Sequence, residues 1–133
     1  MTTYQVFWAF PNQEASVKCT PAFVQYLTEG KQGDKFEGFE IKYRVLDPQN
    51  GTGNFIVEAE SPQKIWEHTA PWIKGFGVKV EIRVMMTDEE FLDTAKKLEL
   101  DKIQTYRNQK LINIEGITPF FFYVLFNYLR VYF

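Results

Sequence analysis

The chain is poor in the residues that metal, disulfide and thiol chemistry need. One cysteine, Cys19, and one histidine, His68, occur in 133 residues. A single cysteine excludes an internal disulfide and a cysteine-based zinc site. A lone histidine with no second ligand candidate beside it cannot hold a transition metal, so neither metal nor cofactor is expected. No glycine loop of the kind that cradles phosphate is present. Charge of one sign is not in excess either: 15 Lys and Arg stand against 17 Asp and Glu, a formal net charge of −2. Nothing electrostatic therefore points to nucleic acid or an anionic lipid surface. The apolar run Tyr4 to Phe10 is too short for a secretory segment, and no basic region precedes it. Together with the single cysteine, this sets a cytoplasmic location as the expectation.

What the chain does have is apolar and aromatic patterning. Hydrophobic residues make up 45%, aromatics 17% and charged residues 24%, which fits a folded domain rather than a disordered one. Its length suits a single core. The clearest periodicity runs from Gly53 to Met86 and reads as strand, helix, strand. In the first strand Phe55, Val57 and Ala59 alternate with Asn54, Ile56, Glu58 and Glu60. In the second, Val78, Val80, Ile82 and Val84 alternate with Lys79, Glu81 and Arg83. One apolar and one charged face argue for an antiparallel sheet. Between them Ser61-Pro62 starts a helix, Ile65, Thr69, Trp72 and Phe76 form its core stripe, Pro71 is expected to kink or restart it, and Gly75 and Gly77 stop it.

The flanking segments complete a pattern. Tyr4, Val6, Trp8 and Phe10 share one face of an opening strand, and Gln5, Phe7 and Ala9 the other. Asn12 to Cys19 reads as a loop, with Thr20-Pro21 starting a short helix that Gly30 closes. After a polar loop, Phe39, Ile41, Tyr43 and Val45 face one way along a strand and Glu40, Lys42 and Arg44 the other. Residues Asp47 to Gly53 are dense in turn formers. Thr87-Asp88-Glu89-Glu90 is a capping box opening a third helix with Phe91, Leu92, Ala95 and Leu98 on one side. The order strand, helix, strand, strand, helix, strand predicts an α+β, ferredoxin-like sandwich with strand order 4-1-3-2. It places Phe7, Lys42, Arg44, Ile56, Glu58, Glu81, Arg83 and Met85 on the sheet face away from the helices. The domain is expected over residues 1–97, with an extension over 98–133.

In that extension Thr118-Pro119 repeats the start signal, and a helix from Pro119 would carry Tyr123, Asn127 and Arg130 as a narrow polar stripe. Its length of roughly 21 Å, at 1.5 Å per residue, falls short of the ~30 Å hydrocarbon core. Packing on its own dimer or swapping to a neighbour ranks above docking on a membrane or partner.

The pieces QVFWAFP, FVQYLTEG, GFEIKYR, GNFIVEAESPQKIW, APW and the strand ending in TDEE resemble the domain of unknown function 3303 family, within the dimeric α+β barrel superfamily. The resemblance covers about residues 1–97. It implies a homodimer in which two four-stranded sheets pack face to face, and it implies no activity.

Few residues stand out as candidate sites. His68, flanking the helical core stripe beside Trp72 and near Trp66, is the best-placed general base, set against an ordinary helix-edge histidine. Haem-degrading relatives by fold pair a strand Asn with Trp and His; here Gln5 stands in the first strand, and Trp66 and His68 do not keep that spacing. Phe7, Arg44, Ile56, Glu58, Glu81, Arg83 and Met85 are read as a dimer interface with a cross-strand ion-pair layer. The segment GTGNFIVEA carries Gly53 where an RNA-binding strand would place an aromatic, so nucleic acid is not expected. Cys19, in a loop before a helix N-terminus, is a weak candidate for a reactive thiol. The reading that follows is a small dimeric binding or interaction module, with a small apolar or aromatic ligand as the expected partner besides itself. The alternative is a cofactor-independent enzyme, monooxygenase-like or isomerase-like, using a pocket between sheet and helices.

Overall fold

The computed structural model describes residues 1–98 and Arg130. Strand β1 (Thr2–Ala9) leads to helix α1 (Gln13–Thr28), a 3-10 turn (Gln32–Asp34) and the two-residue strand β2 (Lys35–Phe36). Then come β3 (Phe39–Asp47), β4 (Thr52–Ala59), α2 (Pro62–Phe76), β5 (Lys79–Met85) and α3 (Asp88–Lys97). The strands form one sheet in the order β2-β3-β4-β1-β5, antiparallel at every pairing. With the short β2 set aside, this is the ferredoxin-like order that the alternation patterns predicted.

The chain divides into two compact units, Met1–Thr87 and Asp88–Phe133. The first holds the sheet, α1 and α2. In the second, α3 carries Asp88, Glu89 and Glu90 in its first turn and Lys96 and Lys97 in its last, the charge order that complements a helix dipole. The expected C-terminal helix from Pro119 lies outside the described residues, apart from Arg130.

The core of the first unit follows from the alternation. Tyr4 and Val6 of β1, Phe39 of β3, Phe55, Val57 and Ala59 of β4 and Ile65 of α2 are buried together, with Trp8, Phe36, Ile41 and Val80 packed against them. Gly53 makes room for one of these neighbours. A methyl group there would stand 2.4 Å from a Trp8 ring carbon and 2.8 Å from the Val45 carbonyl oxygen. The indole of Trp8 thus lies across the sheet where β4 has no side chain.

Two sequence expectations about the elements themselves are corrected by the structure, and both affect the site. Helix α1 does not begin at Thr20-Pro21 but at Gln13, with Asn12 extended at φ −163° and its side chain accepting a hydrogen bond from the Ala15 N–H at 2.8 Å. Asn12 is a strong N-cap. The helix runs through Pro21, as α2 runs through Pro71. In each case the carbonyl deprived of its partner, four residues earlier, belongs to an exposed residue, Val17 or Glu67, where water can take the missing bond. At α2, Ser61 holds the N-cap position without a side-chain cap bond, and Gly77 closes the helix at φ 67°.

The second correction lies in β3. Its register against β4 shifts between Ile41 and Tyr43: Ile41 pairs with Val57, but Tyr43 pairs with Ile56. Lys42 is therefore an extra residue, a β-bulge. Beyond it every side chain changes face. Tyr43 and Val45, expected in the core, are on the far face and are 65% and 38% exposed. Arg44, expected on the far face at a dimer interface, pairs with Phe55 and turns toward the helices.

Candidate functional site

Between α1, α2 and the sheet lies a cavity of about 210 Å³. Phe23 and Tyr26 from α1, Trp8 and Phe55 from the sheet and Trp72 from α2 contribute most of its aromatic wall. The rings support one another. Trp72 meets Phe23 edge-on at 5.9 Å and Tyr26 at 5.6 Å between centroids, and stacks on Phe76 at 6.2 Å. Such pairs add roughly 0.5–1.5 kcal/mol beyond the area they bury, so the rings of the wall stabilise one another without a ligand. Thr20, Val24, Leu46, Asp47 and Pro48 also line the cavity and are exposed, which marks them as its mouth.

A polar cluster stands at this otherwise apolar cavity. The bulge delivers Arg44 here, and the guanidinium lies 5.9 Å from the ring centroids of both Phe23 and Tyr26. Its Nη2 donates to Asp34 Oδ1 at 2.5 Å. The Tyr26 hydroxyl donates to the same oxygen, also at 2.5 Å. The Arg44 and Asp34 side chains are only 12% and 17% exposed, so the pair is largely withdrawn from water, and each charge is matched by the other. Burial by itself would raise the Asp34 pKa; the hydrogen bonds from Arg44 and Tyr26 and the Arg44 charge outweigh it and hold the carboxyl below its usual range. Burial, together with the bond to Asp34, pushes the Tyr26 hydroxyl well above the usual phenol range, so it remains a donor.

His68 completes the cluster. Its ring stacks on Phe39 at 5.0 Å and meets Phe55 edge-on at 5.5 Å. The expectation of a helix-edge histidine is thus corrected: position 68 lies three residues beyond Ile65 and four before Trp72, within the arc of α2 that faces the sheet. Nδ1 lies 2.9 Å from the Gly33 carbonyl oxygen. A carbonyl only accepts, so Nδ1 carries the proton. Burial lowers the pKa of the ring, with the Gly33 bond and Asp34 opposing and Arg44 assisting. The ring is therefore neutral at pH 7, and Nε2 presents a lone pair. Among the described residues no hydrogen bond reaches Nε2. Among the described residues no buried side-chain polar atom lacks a partner, so the unpaired Nε2 is not itself buried, and His68 lines the cavity. Gly33 sits where these groups converge: a methyl there would stand 3.1 Å from the Tyr26 hydroxyl and 3.7 Å from His68 Nδ1.

Of the three residues weighed as site candidates, His68 and Trp72 line the cavity and Trp66 does not. Trp66 is 57% exposed, with Lys74 Nζ 5.5 Å from its ring. Cys19 is corrected from a loop to the interior of α1, where burial raises its pKa and disfavours the thiolate. The sequence reading missed Asp34 and Tyr26 as site residues and placed Arg44 at the dimer face rather than at the cavity. Only Leu46, apolar and out of phase with Tyr43 and Val45, hinted at the change of face. Among the described residues no group of three or more His, Cys, Asp or Glu side chains could hold a metal ion. No helix among them is long and apolar enough to cross a membrane.

The far face of the sheet carries Phe7, Tyr43, Val45, Ile56, Glu58, Glu81, Arg83 and Met85. Arg83 bonds Glu81 at 3.1 Å and lies 4.7 Å over the Phe7 ring. Lys42 reaches Glu40 at 3.3 Å and Glu58 at 3.7 Å. The charges thus form two local groups rather than one layer, and Arg44 belongs to neither.

A five-stranded antiparallel sheet whose four long strands stand in this order, with two helices enclosing an apolar cavity on one face, defines an α+β protein of the ferredoxin-like class. Within it the chain belongs to the family described as a domain of unknown function (DUF3303), whose profile matches residues 2–99. No curated protein matches the chain. Among solved structures, Rv0793 from Mycobacterium tuberculosis is 12% identical, with 66% of this chain and 98% of that one covered and a TM-score of 0.42. A dimeric ferredoxin-like protein from an uncultured marine organism is 9% identical, covering 66% of this chain and 95% of its own at a TM-score of 0.35.

Proposed function

We propose that this domain binds a small aromatic or apolar molecule in the cavity between α1, α2 and the sheet, and that it works as a homodimer closed through the far face. The observation that carries the ligand is the space itself, about 210 Å³ walled mainly by aromatic rings. An engineered apolar cavity of about 150 Å³ stays dry and takes up benzene, so this one has room for a single substituted ring. An unfilled apolar cavity also costs stability that a filled core would keep. Toluene tests the reading directly. At saturating concentration it should raise the unfolding midpoint, because a ligand bound only to the folded state stabilises it by mass action. It should also change the emission of Trp8 and Trp72, which line the cavity. No shift in midpoint and no change in emission at millimolar toluene would sink the proposal.

The support for self-association is chemical. Phe7, Tyr43, Val45, Ile56 and Met85 are apolar or aromatic and share a face with matched charges, the mixture that an interface tolerates and solvent does not favour. Light scattering decides it: a monomer at micromolar concentration would refute the dimer. A second reading, cofactor-independent catalysis, is favoured by one observation, the free Nε2 of a neutral histidine beside an apolar cavity.

A further inference from the structure

The hydrogen-bonding state of the polar cluster narrows the ligand, given that the cavity binds one at all. Three of its groups are already engaged with one another. Tyr26 spends its proton on Asp34, Arg44 gives one N–H to the same oxygen, and His68 gives its Nδ1 proton to the Gly33 carbonyl. What remains at the cavity is an acceptor, Nε2 of His68. Arg44 has unspent N–H groups besides, but its charge is already matched by Asp34. An anionic ligand would bring a negative charge up to the Asp34 carboxylate with no cation left over to balance it, at a cost that rises as water is excluded. A purely apolar ring would fill the space and leave Nε2 dry and unpaired. A neutral ring bearing a donor would satisfy the lone pair, and if the donor is a hydroxyl its oxygen can also accept from Arg44.

We infer that the cavity selects a neutral phenol: an aromatic ring held among Phe23, Trp72 and Trp8, with its hydroxyl donating to Nε2 of His68. No bond is made or broken; this is recognition. It rests on the proposal that the cavity binds an aromatic molecule, and it adds the functional group that sets the choice.

Phenol and toluene, nearly equal in size, separate the two claims. Titrated into the full-length protein at pH 7.5, phenol should bind on the order of tenfold tighter than toluene, the worth of one hydrogen bond to a buried group that would otherwise go unpaired. In water-to-hydrocarbon transfer the preference runs the other way, so an advantage for phenol requires a partner. His68→Phe keeps the ring against Phe39 and Phe55 and removes Nε2; it should abolish the phenol preference and leave toluene affinity within about threefold. If that variant does not fold, the wild-type protein gives the answer. His68 is the only histidine, so 15N-histidine labelling yields a single ring, and phenol but not toluene should shift its Nε2 resonance. Toluene binding without a phenol preference, or phenol binding without an Nε2 shift, overturns this inference and leaves the binding proposal standing. If neither compound binds, the binding proposal fails as well.

Discussion

Mild acidification should destabilise this protein through one residue, His68, with a limiting slope that proton linkage sets. His68 is neutral in the fold because burial disfavours its charged form. In the unfolded chain the same imidazole titrates near its ordinary value of about 6.5. Its folded pKa is depressed, so its contribution is complete above about pH 6.5 and is lost as pH falls. In the window between the two pKa values the unfolded chain binds one proton that the folded chain does not. The stability then falls by up to about 1.4 kcal/mol per pH unit. Asp34, also depressed, adds to the loss only below its unfolded value of about 3.9. The interval from pH 6.5 downward to about 4.5 therefore belongs to His68. Urea unfolding at pH 7.5, 6.5 and 5.5, followed by tryptophan emission, should show wild type losing stability between the last two points. His68→Phe should lose almost nothing over the same step. Equal pH dependence in the two proteins would mean that the fold does not depress the pKa of the ring, and the placement of His68 in the buried arc of α2 would fall with it.

Arg44→Met should destabilise the fold by roughly 3 kcal/mol, since it leaves the Asp34 carboxylate withdrawn from water without its cation; adding Asp34→Asn should recover part of that loss, and a fully additive double variant would refute the pairing. Gly53→Ala should cost at least about 2 kcal/mol in denaturant unfolding and shift the Trp8 emission, because the new methyl meets both the indole and the Val45 carbonyl; a neutral effect would show that Trp8 does not lie where described. Arg83→Glu places a carboxylate beside Glu81 and under Phe7 on the proposed dimer face, so its dimer dissociation constant should rise in analytical ultracentrifugation while the monomer's unfolding midpoint changes little. An unchanged constant would move the interface elsewhere.

Much of this fold is legible in the alternation of a few strands. Tyr4 and Val6, Phe55, Val57 and Ala59, and Val78 and Val80 announce a half-buried sheet, and Ile65, Thr69 and Trp72 announce the helix that packs on it. The start of α1 was hidden because its first two turns place no large apolar residue on the core side; Ser16 and Cys19 are small, and the cap is Asn12, not the Thr20-Pro21 pair that resembles a start. The candidate site was less legible than the fold. A bulge is a matter of register between two strands, and the alternation Phe39, Ile41, Tyr43, Val45 is unbroken in the sequence itself. Asp34 lies in a polar stretch that any loop would tolerate, and its role depends on Tyr26 and Arg44 arriving from two other elements. His68 was visible as a lone histidine, but its tautomer is set by the carbonyl of Gly33, 35 positions away.

The extra residue in β3 binds two surfaces to one count. Because Lys42 is unmatched, the first half of the strand fills the core while the second half sends Arg44 to the cavity and Tyr43 and Val45 to the far face. Were the same nine residues to pair with β4 without the bulge, the two surfaces would exchange: the cavity would lose its guanidinium and gain a tyrosine, and the far face would take on an unmatched charge. Substitutions along β3 can tune either surface separately, but a slip of register upstream of Arg44 moves both at once. Loss of Lys42 alone would abolish the bulge yet leave Tyr43 opposite Ile56 and Arg44 opposite Phe55, so a one-residue deletion at that position should leave both surfaces in place.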